Sequence, residues 1–217
     1  MRNINKQLTE NIISLVSLKG LEYLLALILL PYLFRVLGPE RYGAITFMQG
    51  ILSYFVIVVD YGFNLTAPRD IAKANSKIEI ADIFSSVMGA KIILCLIISS
   101  IFFFALVVFN MFKLLDTKLF LAVYCIVIGN IIFPVWFFQG IQKMRYITFF
   151  NIIARAITVL LVFLFVNDQT DYLAAAFLQS CTTVLAGMFA FGIIIKNFSY
   201  VIKIPTGVSI KRMFTEG

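Results

Sequence analysis

Ile92-Ile-Leu-Cys-Leu-Ile-Ile-Ser-Ser-Ile-Phe-Phe-Phe-Ala-Leu-Val-Val-Phe109 is a run of eighteen residues without one charged side chain. As a helix it rises about 27 Å, close to the roughly 30 Å hydrocarbon core of a bilayer. A membrane β-strand would alternate apolar and polar over about ten residues, and this run does not alternate. Lipid offers the backbone no water to bond, so a continuous apolar run of this length reads as a spanning helix. Working outward, comparable runs recur at residues 12–34, 44–66, 84–109, 118–138, 147–166 and 172–195. The expected fold is an all-α integral membrane protein, a bundle of six transmembrane helices over residues 1–195, with a cytoplasmic tail over 196–217.

The composition excludes the soluble alternatives. Apolar residues make up 61% of the 217-residue chain and charged residues 13%, against roughly 45–50% and 25% in soluble domains. There is no histidine, which removes the commonest general base and metal ligand. Cys95, Cys125 and Cys181 all lie in apolar runs, unlike a disulfide framework or a zinc site. No Gly-rich phosphate loop, catalytic carboxylate pair or nucleophile elbow occurs. The expectation is therefore no enzyme, no catalytic residue and no metal site, with transport favoured over catalysis.

The net charge of +7 is orientation charge. Arg2, Lys6, Arg69, Lys73, Lys77, Lys143, Arg145, Lys196, Lys203, Lys211 and Arg212 fall on one side of the expected membrane. Arg35, Arg41, Lys113 and Lys118 fall on the other. Under the positive-inside rule both termini are cytoplasmic. No basic patch carries base-reading aromatics, so nucleic acid is not an expected partner. Lys19 and Glu22 interrupt the first apolar stretch, and no small-residue cleavage site follows it, so it reads as a retained span. Leu37-Gly38-Pro39-Glu40 is expected to close the first span and Ala67-Pro68 the second.

Ionisable groups inside spans are costly and usually face a bundle interior or a wet cavity. Lys19 and Glu22, three apart, can pair on one helical face, and Asn11 falls on the same face as Glu22. They serve either to neutralise each other or to line a cavity. Gln49, Ser53, Asp60 and Asn64 share a sector about 60° wide. That stripe faces water or forms a polar helix–helix seam. Asn151, Arg155 and Thr158 share a face of the fifth span. Arg155 lies too deep to snorkel easily, and its planar fork suits phosphate or carboxylate. Its structural alternative is an ion pair with Asp60 or Glu22. Lys91 is shallow enough to reach the cytoplasmic surface. Ala175, Gln179, Thr182, Thr183, Ala186, Gly187 and Ala190 are read as a close-packing face. Pro31 and Pro134 can each bend a helix.

Three strings, in order, complete the reading: Arg35-Val-Leu-Gly-Pro-Glu-Arg-Tyr-Gly43, Asp60-Tyr-Gly-Phe-Asn-Leu-Thr-Ala-Pro-Arg-Asp-Ile-Ala-Lys73 and Pro134-Val-Trp-Phe-Phe-Gln-Gly-Ile-Gln-Lys-Met144. At these positions they resemble the polysaccharide transporter family, best known for O-antigen flippases, within the superfamily that also holds multidrug exporters and the lipid II flippase. The resemblance covers the whole chain, and the Trp136 string is its most specific part. It implies two six-helix lobes rocking about a central cavity, of which this chain matches the first. Ser209-Ile-Lys-Arg-Met-Phe-Thr-Glu-Gly217 looks like the approach to a seventh span, so a truncated, split or disrupted transporter is expected.

The same resemblance implies an undecaprenyl-pyrophosphate-linked repeat unit as cargo, moved across the bacterial inner membrane. Membrane lipid, the polyprenyl-pyrophosphate-linked glycan and a missing C-terminal lobe or second copy are then the partners. Lys19, Arg155 and Lys91 would supply positive charge to the path. Asp60 and Glu22 would bind a coupling cation, proton or sodium, or pair with these bases. No other cofactor is expected. The alternatives are a drug exporter of the same superfamily and a non-transporting scaffold for polysaccharide assembly.

Overall fold

The computed structural model describes residues 2–108 and 116–197, with side chains from residue 19 onward. Asn11 lies outside the described side chains, and Lys113 and residues 198–217 lie outside the described residues. Among the described residues there is no strand. The chain runs α1 (Arg2–Asp60), α2 (Phe63–Lys73), α3 (Lys77–Val108), α4 (Thr117–Ile132), α5 (Val135–Gly140), α6 (Met144–Phe165), a 3₁₀ turn (Gln169–Asp171) and α7 (Tyr172–Asn197).

Five apolar helical stretches are long enough to cross a membrane, and the first, Lys19–Lys73, holds two of the six expected spans. As straight helix, the 59 residues of α1 would run about 90 Å, three bilayer cores. They do not run straight. Gly38 is non-helical at φ 75°, ψ 167°. Phe34 and Tyr42 would be about 12 Å apart along a straight axis, yet their ring centroids are 6.1 Å apart. The expected Leu37–Glu40 loop is thus a one-residue corner. Gly38 supplies the positive φ that other residues resist, and Pro39 follows where a helix start needs no N–H. Pro31 lies inside α1 without a break.

Two further boundaries move. The second span ends at Tyr61 and Gly62, with φ of 41° and 86°, and Pro68 sits inside α2. The left-handed pair breaks the hydrogen-bond ladder one turn before proline can. Residues 67–83 belong mostly to α2 and the start of α3. The fourth span breaks at Phe133-Pro134 as the proline suggested, and α5 starts there.

α2 and α5 pack on each other, which explains two of the three family-like strings. Phe63, Ala67 and Ile71 form the buried face of α2, while Trp136, Phe137 and Phe138 are fully buried. A Cβ on Gly140 would stand 2.7 Å from the Cβ of Ile71 and 3.2 Å from the Pro68 carbonyl. Gly140 of the Trp136 string is therefore a contact with the Asp60–Lys73 string.

α4 and α7 pack equally closely. A Cβ on Gly187 would meet Ile132 Cγ2 at 2.8 Å, and Ala175, Ala186 and Ala190 are buried. The small-residue face of the sixth span is a packing face, as read.

At one end of the bundle, Asp116 caps α4 by accepting from the backbone N–H groups of Lys118 and Leu119, both at 3.1 Å. Its other oxygen accepts from the Tyr172 hydroxyl at 2.8 Å. The Arg41 guanidinium lies 4.6 Å over the Tyr172 ring, so the first family-like string joins this clasp. Burial pushes the Asp116 carboxyl up, but the Leu119, Tyr172 and Lys118 bonds outweigh it and hold it below the ordinary range. A depressed folded pKa stabilises above the unfolded value and ceases to as pH falls through the folded one. Asp116→Ala should cost about 0.5–2 kcal/mol, the usual loss for a helix cap. The loss should shrink below about pH 4, in thermal denaturation of the detergent-solubilised protein across pH.

Candidate functional site

The buried apolar residues form two clusters stacked along the bundle. One holds Leu29 to Val59 of α1, Leu119 to Ile131 of α4, Cys95, Val159 and Ala176. The other holds α2, α5, Ala90, Ala154 and Ala186. Each long helix crosses from one to the other within about ten residues, and each crossing carries at least one polar side chain. Asp60 lies between Val59 and Phe63, Lys91 between Ala90 and Cys95, and Arg155 and Thr158 between Ala154 and Val159. Gln179, Thr182 and Thr183 lie between Ala176 and Ala186, and Asn130 precedes Ile131 at the same boundary. They form one polar belt across the middle of the bundle.

Contacts run along that belt. Lys91 Nζ is 2.7 Å from Asp60 Oδ1, with the lysine side chain only 1% exposed. The ammonium donates to Asn130 Oδ1 at 3.3 Å, and Asn64 Nδ2 donates to Asp60 Oδ2 at 2.9 Å. A longer 3.5 Å contact joins Asn130 Nδ2 to the same oxygen. Next to Asn130, Gly129 presses α4 onto Thr183 of α7. Thr182 in turn shares a 2.8 Å hydroxyl bond with Thr158 of α6. One turn from Thr158 stands Arg155, half-buried and without an ion pair or hydrogen bond among the described residues. Gln179 Nε2 is buried without a hydrogen-bond partner among the described residues.

This geometry sorts the sequence-predicted residues. Asp60, Lys91, Arg155, Thr158 and Asn64 belong to the belt or touch it, with Asn151 half-buried one turn from Arg155 on α6. Lys19 and Glu22 do not belong; they pair with each other at 2.6 Å, on the α1 arm before Gly38. Gln49 is half-buried, while Ser53 is exposed and donates to the Gly50 carbonyl. Two expectations are corrected. Lys91 does not reach the surface, because a carboxylate two helices away offers it a partner inside. Arg155 does not pair with Asp60 or Glu22, because lysines already occupy both. Asn130 was not among the candidates. Its signal was present, a lone carboxamide in the apolar run Ile126-Val-Ile-Gly-Asn-Ile-Ile132.

A bundle of long apolar helices around a polar mid-layer is the architecture of a multi-pass membrane protein with a polar interior rather than of a soluble enzyme. The chain belongs to the family described as polysaccharide biosynthesis protein, whose model matches residues 8–217. It is 38% identical over 199 residues to a protein of Escherichia coli (strain K12) named "Putative O-antigen transporter", covering 89% of this chain and 47% of that protein. A Shigella dysenteriae protein of the same name is 30% identical over 188 residues, covering 87% of this chain and 47% of its own length. The chain thus spans about half the length of the curated relatives it matches. No solved structure matches it.

Proposed function

We propose that this chain is one lobe of a flippase that moves an undecaprenyl-pyrophosphate-linked oligosaccharide, an O-antigen or related repeat unit, from the cytoplasmic to the periplasmic leaflet of a bacterial inner membrane. The observation that carries the proposal is Arg155, a cation without a counter-ion among the described residues, in the belt of a protein whose relatives are named as O-antigen transporters. An isolated ion costs tens of kcal/mol, in Born terms, to bring into hydrocarbon. A guanidinium at mid-depth reduces that cost for a pyrophosphate and offers it a bidentate fork. The Thr158–Thr182 hydroxyls and the Gln179 amide extend the belt as neutral polar groups beside Arg155. The polyprenyl tail stays in lipid, and no covalent step is needed. Lys91 is a weaker candidate for the cargo charge than Arg155, since Asp60 neutralises it. A coupling proton or sodium ion would have to compete with Lys91 for Asp60.

The proposal is tested by co-producing the chain with the C-terminal half of a full-length relative in a host lacking its own flippase. Surface glycan should return only when both pieces are present. Normal levels of both pieces without glycan would refute the lobe assignment.

The same reading places both termini in the cytoplasm. Reporter fusions at residues 40, 115 and 169 should then report the periplasm, and fusions at 75, 143 and 205 the cytoplasm. A periplasmic signal at 205 would change the span count by one.

A further inference from the structure

We propose that the cleft between α3 and α4, at the end of the bundle where Asp116 caps α4, is a binding site for one acyl chain of a bilayer phospholipid. Both helices supply its walls. The rings of Phe102 and Phe120 stack at 5.1 Å and form the back, with Phe55 of α1 edge-on to Phe102 at 5.1 Å. Phe103 and Leu121, 61% and 64% exposed, form the two lips. Ser99 and Tyr124 meet at the inner end, and Leu106 and Thr117 stand at the outer one. The space between them is about 270 Å³.

Three features name the occupant. The first is the lining chemistry. Ser99 Oγ donates to the Cys95 carbonyl at 2.6 Å. The Tyr124 hydroxyl is then left to donate to Ser99 Oγ, and the Cys95 thiol to the Tyr124 oxygen at 3.3 Å. Among the described residues the inner end thus offers water no free donor, and a water in a cavity needs two to four polar partners. The second feature is size. The lips lie beside Ile101, Phe104 and Val107, all exposed and apolar, so the cleft opens to lipid. A helix about 10 Å across fills roughly 800 Å³ over a 10 Å length, too much for this space. An apolar cavity of about 150 Å³ admits benzene, so this one admits a longer hydrocarbon segment. The third feature is length. Thr117 to Tyr124 rises about 10 Å, starting beside Asp116 and the exposed Lys118 at the polar boundary. The cleft therefore runs from headgroup depth into one leaflet, whose chains span about 15 Å, half of the hydrocarbon core. The eleven-isoprene tail of the proposed cargo is far longer than the cleft.

Hydrocarbon gains little by exchanging lipid for an equally apolar wall. The gain lies in contact, because an unfilled cleft leaves its lining without partner atoms, and a chain seated there meets protein on three sides. The site stands whatever the cargo is.

The test reconstitutes the full chain in vesicles of phosphatidylethanolamine and phosphatidylglycerol, with a trace of phosphatidylcholine carrying a mid-chain diazirine. After irradiation, labelled peptides are mapped by mass spectrometry. Residues 99–106 and 117–124 should take more label than the exposed α6 face at Leu160 and Leu164, by about fivefold or more, a preference of about 1 kcal/mol. Leu106→Trp should remove the excess by filling the cleft. Leu121→Trp, at an exposed lip where no core must rearrange, should remove it by covering the opening. Labelling of α6 should not change in either variant. Equal labelling of the cleft and α6 overturns the site, as does an excess that survives both substitutions. Loss of the excess when an equal trace of undecaprenyl phosphate is added overturns the phospholipid assignment, because the cleft then prefers the polyprenyl chain.

Discussion

Arg155→Ala is expected to abolish flippase-dependent surface glycan while the protein accumulates to a normal or higher level. The two effects separate because they have different origins. Alanine inserts more easily than arginine by about 2.5–3.5 kcal/mol on translocon scales, so membrane integration does not suffer. Arg155 has no ion pair or hydrogen bond among the described residues, so no carboxylate is orphaned by its loss. What disappears is, among the described residues, the one belt cation whose charge is not already neutralised by a neighbour, Lys91 being held by Asp60. Arg155→Lys should restore only part of the glycan, since a point charge replaces a planar fork. The measurement pairs an immunoblot with a surface-glycan profile in the two-piece system. If Arg155→Ala instead lowers the protein level, and raised expression restores glycan, Arg155 is a packing residue.

The helical membrane fold was legible because its signal is long and uninterrupted: Ile92–Phe109 leaves no alternative at the level of backbone hydrogen bonding. The corners were less legible. Gly38 falls inside the Leu37–Glu40 turn that its Gly-Pro pair marks, but Gly62 acts through a backbone φ that composition does not reveal, and Pro68 is a false stop that α2 absorbs. The candidate site divides along the same line. Arg155, Asp60 and Lys91 stood out because charge in an apolar run is expensive wherever it ends up. Their pairing did not, because it depends on which helices face each other. Asp60 chose Lys91, thirty-one residues away on α3, over Arg155 on α6. Asn130 was hidden for a related reason: a single carboxamide is unremarkable until a neighbouring carboxylate and ammonium give it both a donor and an acceptor role. The belt itself is visible only in three dimensions, where polar residues from five segments meet at the boundary of two apolar clusters.

Gly129→Ala should be strongly destabilising, although alanine is intrinsically the better helix residue by about 1 kcal/mol. The added Cβ would stand 2.7 Å from both Thr183 Cβ and the Val184 backbone nitrogen of α7. The outer atoms of a side chain can rotate away from such a contact, but a Cβ or a backbone atom in a neighbouring helix can yield only if the helix moves. Overpacking of this kind costs about 1–3 kcal/mol or more, which reverses the sign of the propensity gain. Gly50→Ala provides the contrast, since nothing lies within 4 Å of its Cβ position. That change should be neutral or stabilising by up to about 1 kcal/mol. Thermal denaturation in detergent should therefore move in opposite directions for the two variants. Adding Thr183→Ala to Gly129→Ala should recover only part of the loss, because the Cβ at 183, which alanine keeps, and Val184 N remain in the way. The consequence reaches the belt. Parting α4 from α7 displaces Asn130 from Lys91 and Thr182 from Thr158 together, so glycan export should fall further than the stability loss alone predicts. If Gly129→Ala and Gly50→Ala behave alike, α4 and α7 do not meet at Gly129, and the continuity of the belt between Asn130 and Thr182 fails with that contact.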